Sequence, residues 1–293
     1  MNIKLIITLL LMLMKTSVFA NESSTDQLIY FEEGEVIAEV KPEFLNEISD
    51  IAASSLNKGY YWVHNDSGDE PRICLINLDG ELIATVTVPT IINRDWEEIT
   101  IYDNHIYIGE IGDNLAVYPD KKIYKIAEPK IDTSKLNQML EITEVETMVF
   151  NFADQQRDSE TLMSDPLTGD LIILSKRDPN NRVYITPFIA TDGDTINIEP
   201  VAMVNIAQPT AGDISPDGMR ILIKDYLQIY YWERESTEEL LDKTLAREPI
   251  VIPYILEPQG ESIAWDLEGV NFYTVSEKAQ SEAVLIYLYK GKK

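Results

Sequence analysis

The sequence predicts an all-β fold made of similar antiparallel units, and three observations support this prediction. Five short segments begin with a polar, acidic or glycine residue and lead into an apolar stretch. Each is followed, after a polar turn, by a second run rich in β-branched and aromatic residues. The segments also recur about every fifty residues, and they start at Ser49, Glu97, Glu160, Gly212 and Glu261. A repeat of this length, with several short strands per copy, is typical of a β-propeller.

Each repeat is expected to supply one four-stranded blade, with its first strand at the central axis. The predicted second strands are 60–64, 106–109, 171–175, 221–224 and 272–276. The predicted third strands are 73–78, 122–126, 183–186, 228–232 and 284–289. The predicted fourth strands of the first four blades are 83–88, 146–150, 200–205 and 249–253. Residues 131–139 and 237–245 are candidate short helices in connecting loops.

The fifth repeat lacks a fourth strand, because the sequence stops at Lys293. A spare β-rich run lies within residues 28–40. Its addition to the fifth blade would close the ring and cover two exposed sheet edges. We therefore expect five blades closed by an N-terminal strand, with six blades as the alternative.

The first twenty residues have the pattern of a secretory signal peptide. Lys4 precedes an apolar run at 5–14, and Val18-Phe19-Ala20 resembles a cleavage site. The apolar run is too short to span a bilayer. We expect residues 1–20 to direct export to the periplasm or the extracellular space, and residues 21–293 to form one domain without membrane insertion.

The chain is strongly acidic, with 50 Asp and Glu against 24 Lys and Arg and a net charge of −26. This charge disfavours nucleic acids and anionic lipids as partners, because both require a basic surface. It favours cation binding. The sequence contains one cysteine, so an internal disulfide is excluded. It contains only two histidines, which disfavours a histidine-rich zinc site. We expect a monomer whose partner is a small molecule or a protein.

The repeated starting position predicts a metal site, because a propeller brings equivalent residues to one axis. Glu97, Glu160 and Glu261 would converge there, and like charges in a narrow channel require a cation or protonation. Ca²⁺ accepts carboxylate, hydroxyl and carbonyl oxygen ligands, so Ser49 and Gly212 complete the predicted site. Alternatively, the glutamates bond to backbone amides of neighbouring blades.

The first strands begin, and the second strands end, on the same face of a propeller. This face carries the candidate ligand-binding residues, which are Asp66, Asp69, Glu110, Asp113, Lys176, Arg177 and Lys224. Its acidic residues either bind a cation or form tight turns. Its basic residues either hold an anionic group such as phosphate or pair with neighbouring acids.

Four short sequence segments are similar to segments of secreted bacterial WD40-like propeller proteins without an assigned activity. They are residues 62–69, 95–97, 106–114 and 259–266. The ring also resembles that of calcium-activated nucleotidases of the apyrase type, five-bladed propellers with an axial Ca²⁺ held by Ser, Glu, Glu, Ser and Glu. Ser49, Glu97, Glu160 and Glu261 match in order, and Gly212 stands in place of the second serine. By this resemblance, Lys176 and Arg177 lie at the position where the apyrase-type family has a pair of basic residues.

Three functions remain open from the sequence. The leading hypothesis is an exported propeller that binds axial Ca²⁺ and presents a ligand-binding face. The enzymatic alternative is a calcium-dependent phosphohydrolase, in which Lys176 and Arg177 neutralise phosphate charge. The third is an interaction module without metal. No catalytic residue is assigned, since the sequence shows no Ser-His-Asp arrangement and no phosphate-binding glycine loop.

Overall fold

The strands form five separate sheets in the computed structural model, which describes residues 30–278 and 283–292. Strand β1 (Glu35–Glu39) comes first in the chain. Blade one contains β2 (Ile48–Ala53), β3 (Tyr60–Asn65), β4 (Arg72–Asn77) and β5 (Leu82–Thr87). Blade two contains β6 (Trp96–Tyr102), β7 (His105–Glu110), β8 (Lys121–Ala127) and, after β9 (Gln138–Glu141), β10 (Glu146–Phe152).

The remaining blades repeat this order. Blade three contains β11 (Asp158–Ser164), β12 (Asp170–Lys176), β13 (Asn181–Pro187) and, after β14 (Ile196–Ile198), β15 (Pro200–Val204). Blade four contains β16 (Ala211–Ile214), β17 (Arg220–Lys224), β18 (Ile229–Glu233) and, after helix α1 (Leu241–Leu245), β19 (Ile250–Ile252). Blade five contains β20 (Ala264–Trp265), β21 (Phe272–Val275) and β22 (Leu285–Tyr289).

The first strands of the blades contact one another in cyclic order, from β2 through β6, β11 and β16 to β20 and back to β2. The fold is therefore an all-β, five-bladed propeller, and the six-bladed alternative is wrong. The predicted signal peptide, residues 1–20, lies outside the described residues. Among residues 30–278 and 283–292, no helix is long and apolar enough to cross a membrane.

The N-terminal strand closes the ring, as the sequence predicts. Strand β1 pairs antiparallel with β22, in a register that places Glu35 opposite Leu288. The Glu32 amide donates to the Lys290 carbonyl at 2.8 Å. The first and last parts of the domain therefore share one sheet, which protects the outer edge of β22.

Connections between third and fourth strands reach back to the preceding blade. Strand β9 pairs parallel with β5 of blade one, and β14 pairs parallel with β10 of blade two. Helix α1 confirms a helix within 237–245, and it packs against β15 of blade three. The predicted helix at 131–139 is wrong. The segment instead forms a turn at Asp132 that leads into β9. Pairing of β9 with the open edge of β5 satisfies backbone amides and carbonyls that the ends of a short helix would leave unpaired.

The core lies between the blades. Trp62 and Trp96 belong to one buried cluster between blades one and two, and Trp265 belongs to another between blades four and five. Each of these three side chains is at most 1% exposed. A buried aromatic side chain contributes roughly 1.5–3 kcal/mol of hydrophobic stabilisation, so these wedges fix the angles between blades and hold the central axis rigid.

Candidate cation site at the propeller mouth

The first strands of blades one to three each contain a β-bulge at the predicted axial position. The register shifts occur between Ile48 and Asp50, between Trp96 and Glu98, and between Ser159 and Thr161. The extra residues are therefore Ser49, Glu97 and Glu160. A bulge redirects a side chain that regular pairing would send into a neighbouring blade. We call this end of the axis, where the first strands begin, the mouth.

Three carboxylates meet at the mouth. Asp66 follows β3, Asp95 precedes β6, and Glu97 is the bulge residue of β6. One carboxylate oxygen from each lies within 4.8 Å of the other two. We call Asp66, Asp95 and Glu97 the mouth cluster. Within residues 30–278 and 283–292, no basic side chain forms an ion pair with any of the three. Arg94 and Lys121 lower the pKa of Asp95, and Lys176 lowers the pKa of Asp66, only from beyond ion-pair distance.

Gly112 forms the wall behind the mouth cluster. A Cβ atom at this position would lie 2.1 Å from Glu97 Oε1 and 2.6 Å from Asp95 Oδ2. The backbone and both carboxylates can approach this closely only because residue 112 has no side chain. The glycine therefore keeps two acidic side chains close together despite their mutual repulsion.

Burial and like charges raise the pKa values of the cluster. The pKa of Asp95 rises to about 6, through burial and the nearby charges of Asp66 and Asp158. Burial raises the pKa of Glu97 well above its usual range, and Glu160 and Asp66 raise it further. Burial also raises the pKa of Asp66. All three carboxyls ionise together only when a cation offsets their repulsion, and without a cation the repulsion is relieved by protonation.

The other predicted axial residues surround the cluster but have partners of their own. The Ser49 hydroxyl donates to the Glu97 backbone carbonyl at 2.8 Å. Glu160 pairs with the Lys176 ammonium, and Glu261 accepts a hydrogen bond from the Tyr226 hydroxyl. The structure therefore brings Glu97 together with Asp66 and Asp95, rather than uniting all five predicted ring residues.

A hydrogen-bonded chain crosses the mouth from blade three to blade five. Lys176 Nζ donates to the Tyr226 hydroxyl at 2.9 Å as well as pairing with Glu160. Beyond Tyr226 lie Glu261 and Glu277, and burial together with Glu261 raises the pKa of Glu277 to about 8. The Lys176 ammonium thus makes its direct contacts with Glu160 and Tyr226, and it acts on the mouth cluster only by lowering the pKa of Asp66 from beyond ion-pair distance.

Three acidic residues predicted for the ligand-binding face form ion pairs. Asp69 binds Arg72 through two contacts, at 2.7 and 3.0 Å. Buried Glu110 accepts from the Tyr124 hydroxyl at 3.0 Å and lies 3.5 Å from Lys122 Nζ. Asp113 accepts from Lys121 Nζ at 2.7 Å. These partners hold Asp69, Glu110 and Asp113 in the surrounding loops, whereas Asp66 alone of the predicted acidic face residues joins the cluster.

The remaining two basic candidates differ in exposure. The Arg177 side chain is 42% exposed, and its Nε donates to Asp158 Oδ2 at 2.6 Å. Its backbone adopts the left-handed region, with φ of 71°, which a non-glycine residue rarely does. Lys224 is fully buried, and its Nζ donates to the Tyr254 hydroxyl at 3.1 Å. Arg177 is therefore open to a ligand, and Lys224 lies beneath the surface.

A second layer of acids lies one residue beyond the predicted ring. Asp50 and Glu98 are buried in the protein interior and Asp213 is half-buried, and we call the three residues the acid belt. Asp50 accepts from the Ile99 amide of blade two at 2.8 Å. Asp213 accepts from the Trp265 amide of blade five at 2.8 Å. From the sequence, the alternative to a metal site was that the ring glutamates bond to backbone amides of neighbouring blades. In the structure, the acid belt makes such bonds.

Glu98 connects the largest number of blades in the acid belt. It lies in blade two, and its carboxylate accepts from the Leu162 amide of blade three at 2.8 Å. Its other oxygen accepts from the Gly212 amide of blade four at 2.9 Å. One side chain therefore satisfies two amides on the free inner edges of two other blades.

Sequence reasoning missed Asp95, Tyr226 and the acid belt. The belt carried a visible signal, because Asp50, Glu98 and Asp213 each follow the repeated starting position. Asp95 lies two residues before Glu97 and precedes the strand, so the repeat alone gave it no role. Tyr226 lies in a loop whose path across the mouth depends on packing between blades.

No protein-family model matches this chain. One solved structure that it resembles is described as "Crystal structure of Nidogen/Laminin Complex". The identity is 15% and the TM-score is 0.45, and the match covers 78% of this chain and 72% of the other.

Proposed function

We propose that this protein is a binding module that holds Ca²⁺ at the mouth cluster and uses the bound ion to recognise a ligand on the mouth face. The observation that carries the proposal is the approach of Asp66, Asp95 and Glu97 oxygens within 4.8 Å, without an ion pair to any of them in the described chain. A divalent cation would relieve the repulsion that raises their pKa values.

The donor atoms favour a hard cation. All three side chains offer carboxylate oxygen, which suits Ca²⁺ and Mg²⁺, whereas zinc prefers imidazole and thiolate. The neighbouring His64 is buried and its Nδ1 lies 3.0 Å from the Asn65 carbonyl, and burial lowers its pKa to about 4. Ca²⁺ is favoured over Mg²⁺ because it accepts six to eight oxygens in flexible geometry, and Glu160 and Glu261 lie nearby.

Export is part of the same proposal, and it depends on the signal-peptide pattern of residues 1–20. Calcium sites of extracellular modules are typically weak, with dissociation constants on the order of 10⁻⁴–10⁻³ M. A site of this strength stays loaded where calcium is abundant, so export and a calcium-dependent ligand face are mutually consistent.

The test is calorimetric titration of metal-stripped protein with CaCl₂ and with MgCl₂. We expect one Ca²⁺ site, tighter than Mg²⁺, and a stabilisation of about 2.7 kcal/mol at a hundredfold excess over the dissociation constant. The Glu97→Gln variant should weaken binding by about tenfold or more. The matched control is Glu144→Gln at an exposed position away from the mouth, which should bind as the parent does. Equal affinity in both variants would contradict the site.

A second candidate is the calcium-dependent phosphohydrolase, and Arg177 is the observation that favours it. Its exposed guanidinium is held at the mouth by Asp158 in a strained backbone conformation, and such strain often accompanies functional sites. Nucleoside di- and triphosphates and simple phosphate esters should be assayed with calcium and with chelator. Calcium-dependent turnover that Arg177→Gln abolishes supports the hydrolase. Calcium binding without turnover supports the binding module. If the protein shows neither calcium binding nor turnover, the metal-free interaction module is the remaining candidate.

A further inference from the structure

Two loops at the mouth leave large apolar side chains exposed. Leu115, Val117 and Tyr118 lie in the loop between β7 and β8, and their exposed fractions are 81%, 59% and 37%. Ile92, in the loop between β5 and β6, is 60% exposed. We call these four residues the apolar lip. Exposed apolar side chains that are grouped beside polar residues are typical of an interaction surface.

Arg94 joins the two loops into one surface next to the mouth cluster. Its guanidinium carbon lies 4.2 Å from the centroid of the Tyr118 ring, and its Nη2 donates to the Asp120 carbonyl at 3.0 Å. Arg94 follows Ile92 by two residues and directly precedes Asp95 of the mouth cluster. The apolar lip is therefore continuous with the candidate calcium site.

The loop that carries most of the apolar lip is held in one conformation. The Asp113 carboxylate accepts from the Val117 and Tyr118 amides at 2.8 and 2.9 Å. Between them and Asp113, Ala116 has a φ of 49°, in the left-handed region that non-glycine residues rarely adopt. Leu115 and Val117 are thus exposed on an ordered loop, so a partner that binds them loses little affinity to loop ordering.

The shape of the apolar lip favours a protein as its partner. Sites for small molecules are concave and bury most of the ligand surface. Leu115, by contrast, projects into solvent from the tip of its loop, with 81% of its surface exposed. A partner must therefore supply an apolar surface of its own, as the two sides of a protein interface do.

The bound ion of the proposed function favours an acidic partner. Ca²⁺ takes six to eight oxygen ligands. Of the nearby glutamates, Glu160 pairs with Lys176. Glu261 accepts a hydrogen bond from Tyr226. The positions that the mouth cluster leaves free on the ion are therefore open to water or to a carboxylate from a partner.

Arg177 lies at the edge of the apolar lip, since its Nη2 donates to the side-chain oxygen of Asn114, the residue before Leu115. Resting on the proposed function, we propose that the apolar lip and the bound Ca²⁺ together bind an acidic segment of another protein. Apolar side chains of the segment pack on Leu115, one carboxylate coordinates the ion, and a second pairs with Arg177. A basic segment would meet like charge at both the ion and Arg177.

The test selects binders from a phage library of random twelve-residue peptides on calcium-loaded protein, residues 21–293. We expect the enriched peptides to combine Asp or Glu with Leu, Ile or Phe. A synthetic copy of the strongest should bind about tenfold more tightly with calcium than with chelator, by calorimetry. Enrichment of basic peptides, or no enrichment, would overturn the proposal.

Two serine variants locate the binding. Leu115→Ser should weaken binding of the synthetic peptide by about tenfold and leave calcium affinity unchanged. The matched control is Leu136→Ser, in the loop after β8 on the face opposite the mouth, where the side chain is 53% exposed. It should bind the peptide as the parent does. Equal peptide affinity in the two variants would overturn the proposal.

Titration of the parent with CaCl₂ separates this proposal from the proposed function. Calcium binding without peptide selection contradicts the role of the apolar lip alone. Absence of calcium binding contradicts the proposed function, and peptide binding that is equal with calcium and with chelator contradicts the ion contact proposed here.

Two further measurements examine other occupants of the apolar lip. One is calcium-dependent sedimentation with vesicles of equal parts phosphatidylcholine and phosphatidylserine. The other is sedimentation velocity of the protein alone. Vesicle binding that Leu115→Ser abolishes would assign the apolar lip to a membrane, and a dimer that this variant dissociates would assign it to a second copy of the chain. Either result would overturn the proposal.

Discussion

Gly112 lies so close to Glu97 that a Cβ atom at residue 112 would come within 2.1 Å of Glu97 Oε1. The two residues belong to the same blade, one in the loop after the second strand and the other in the bulge of the first. Their approach holds the Glu97 carboxylate against Asp95 in a partly buried space. The absence of a side chain at residue 112 thus allows two acidic groups to lie close together, in an arrangement that would attract a cation.

Gly112→Ala should lower calcium affinity by at least about tenfold with a small effect on folding. The added methyl group meets the ends of two flexible acidic side chains, which can turn aside and thereby open the cluster. Calorimetric titration with CaCl₂ and a thermal melt without metal measure the two effects. The control is Gly109→Ala in the same blade, where a Cβ would meet Leu162 at 3.2 Å and no acidic group. Unchanged affinity in Gly112→Ala would show that this glycine does not position the cluster.

Calcium affinity should rise with pH through the pKa of Asp95. That pKa is raised to about 6 in the folded protein, so below this pH the native state holds a proton that calcium must displace. Affinity at pH 5 should therefore be about tenfold lower than at pH 7. Asp95→Asn should bind weakly and with a shallower pH dependence. A pH-independent affinity in the parent protein would exclude proton displacement at this carboxyl.

Without metal, the same raised pKa gives the opposite dependence for stability. Between the unfolded value of 3.8 and the folded value of about 6, the native state binds more protons at Asp95 than the unfolded chain. The contribution of Asp95 to the free energy of unfolding therefore falls as pH rises through this window. Denaturant titrations of metal-stripped protein at pH 4.5 and 6.5, compared with Asp95→Asn, isolate this contribution.

The sequence predicted the fold because the signal lies in repetition. The segments that begin at Ser49 and Glu261 have the same strand pattern, and the missing strand of the fifth blade indicated the use of β1. Two features depended on information that no single repeat contains. The bulge at Glu97 is a shift in pairing with β7, and the proximity of Asp95 to Asp66 arises from two different blades. The sequence thus predicted acidic residues at this end of the axis as a symmetric ring, whereas the structure groups Asp66, Asp95 and Glu97 in an off-centre cluster.

Lys176→Met should destabilise the protein by about 3 kcal/mol, because it leaves the buried Glu160 carboxylate without its cation. The pair is almost fully buried, with side-chain exposures of 1% for Lys176 and 7% for Glu160. The double variant with Glu160→Gln should recover much of this loss, since no unpaired charge then remains. Urea denaturation of the parent, both single variants and the double variant gives the coupling energy. A double variant as unstable as the sum of the two single variants would exclude this pairing as a stabilising contact.

Glu98→Gln should lower the free energy of unfolding by about 1–3 kcal/mol. Both Glu98 oxygens accept backbone amides, from Leu162 and Gly212, and a glutamine offers only one acceptor at this position. One buried amide would therefore face an NH₂ group and lose its partner. Denaturant titration measures the loss, with Glu144→Gln as the exposed control. If both variants unfold at the same denaturant concentration, the acid belt does not connect the blades energetically.

Closure of the ring should depend on Phe31 as well as on β1. Phe31 precedes β1, is 3% exposed and packs against Trp265 and Phe272, with ring centroids at 5.8 and 4.9 Å. Phe31→Ala removes this buried aromatic contact and should cost about 3–5 kcal/mol. The control is Val36→Ala in β1, where the side chain is 51% exposed and its truncation should change stability little. Thermal and urea unfolding of both variants separate the two effects.

Because Phe31 joins the start of the domain to the last blade, its loss should also make blade five exchange its amide hydrogens faster than blade two. Uniform exchange in all blades of Phe31→Ala would show that the N-terminal segment stabilises the propeller without acting as its closure.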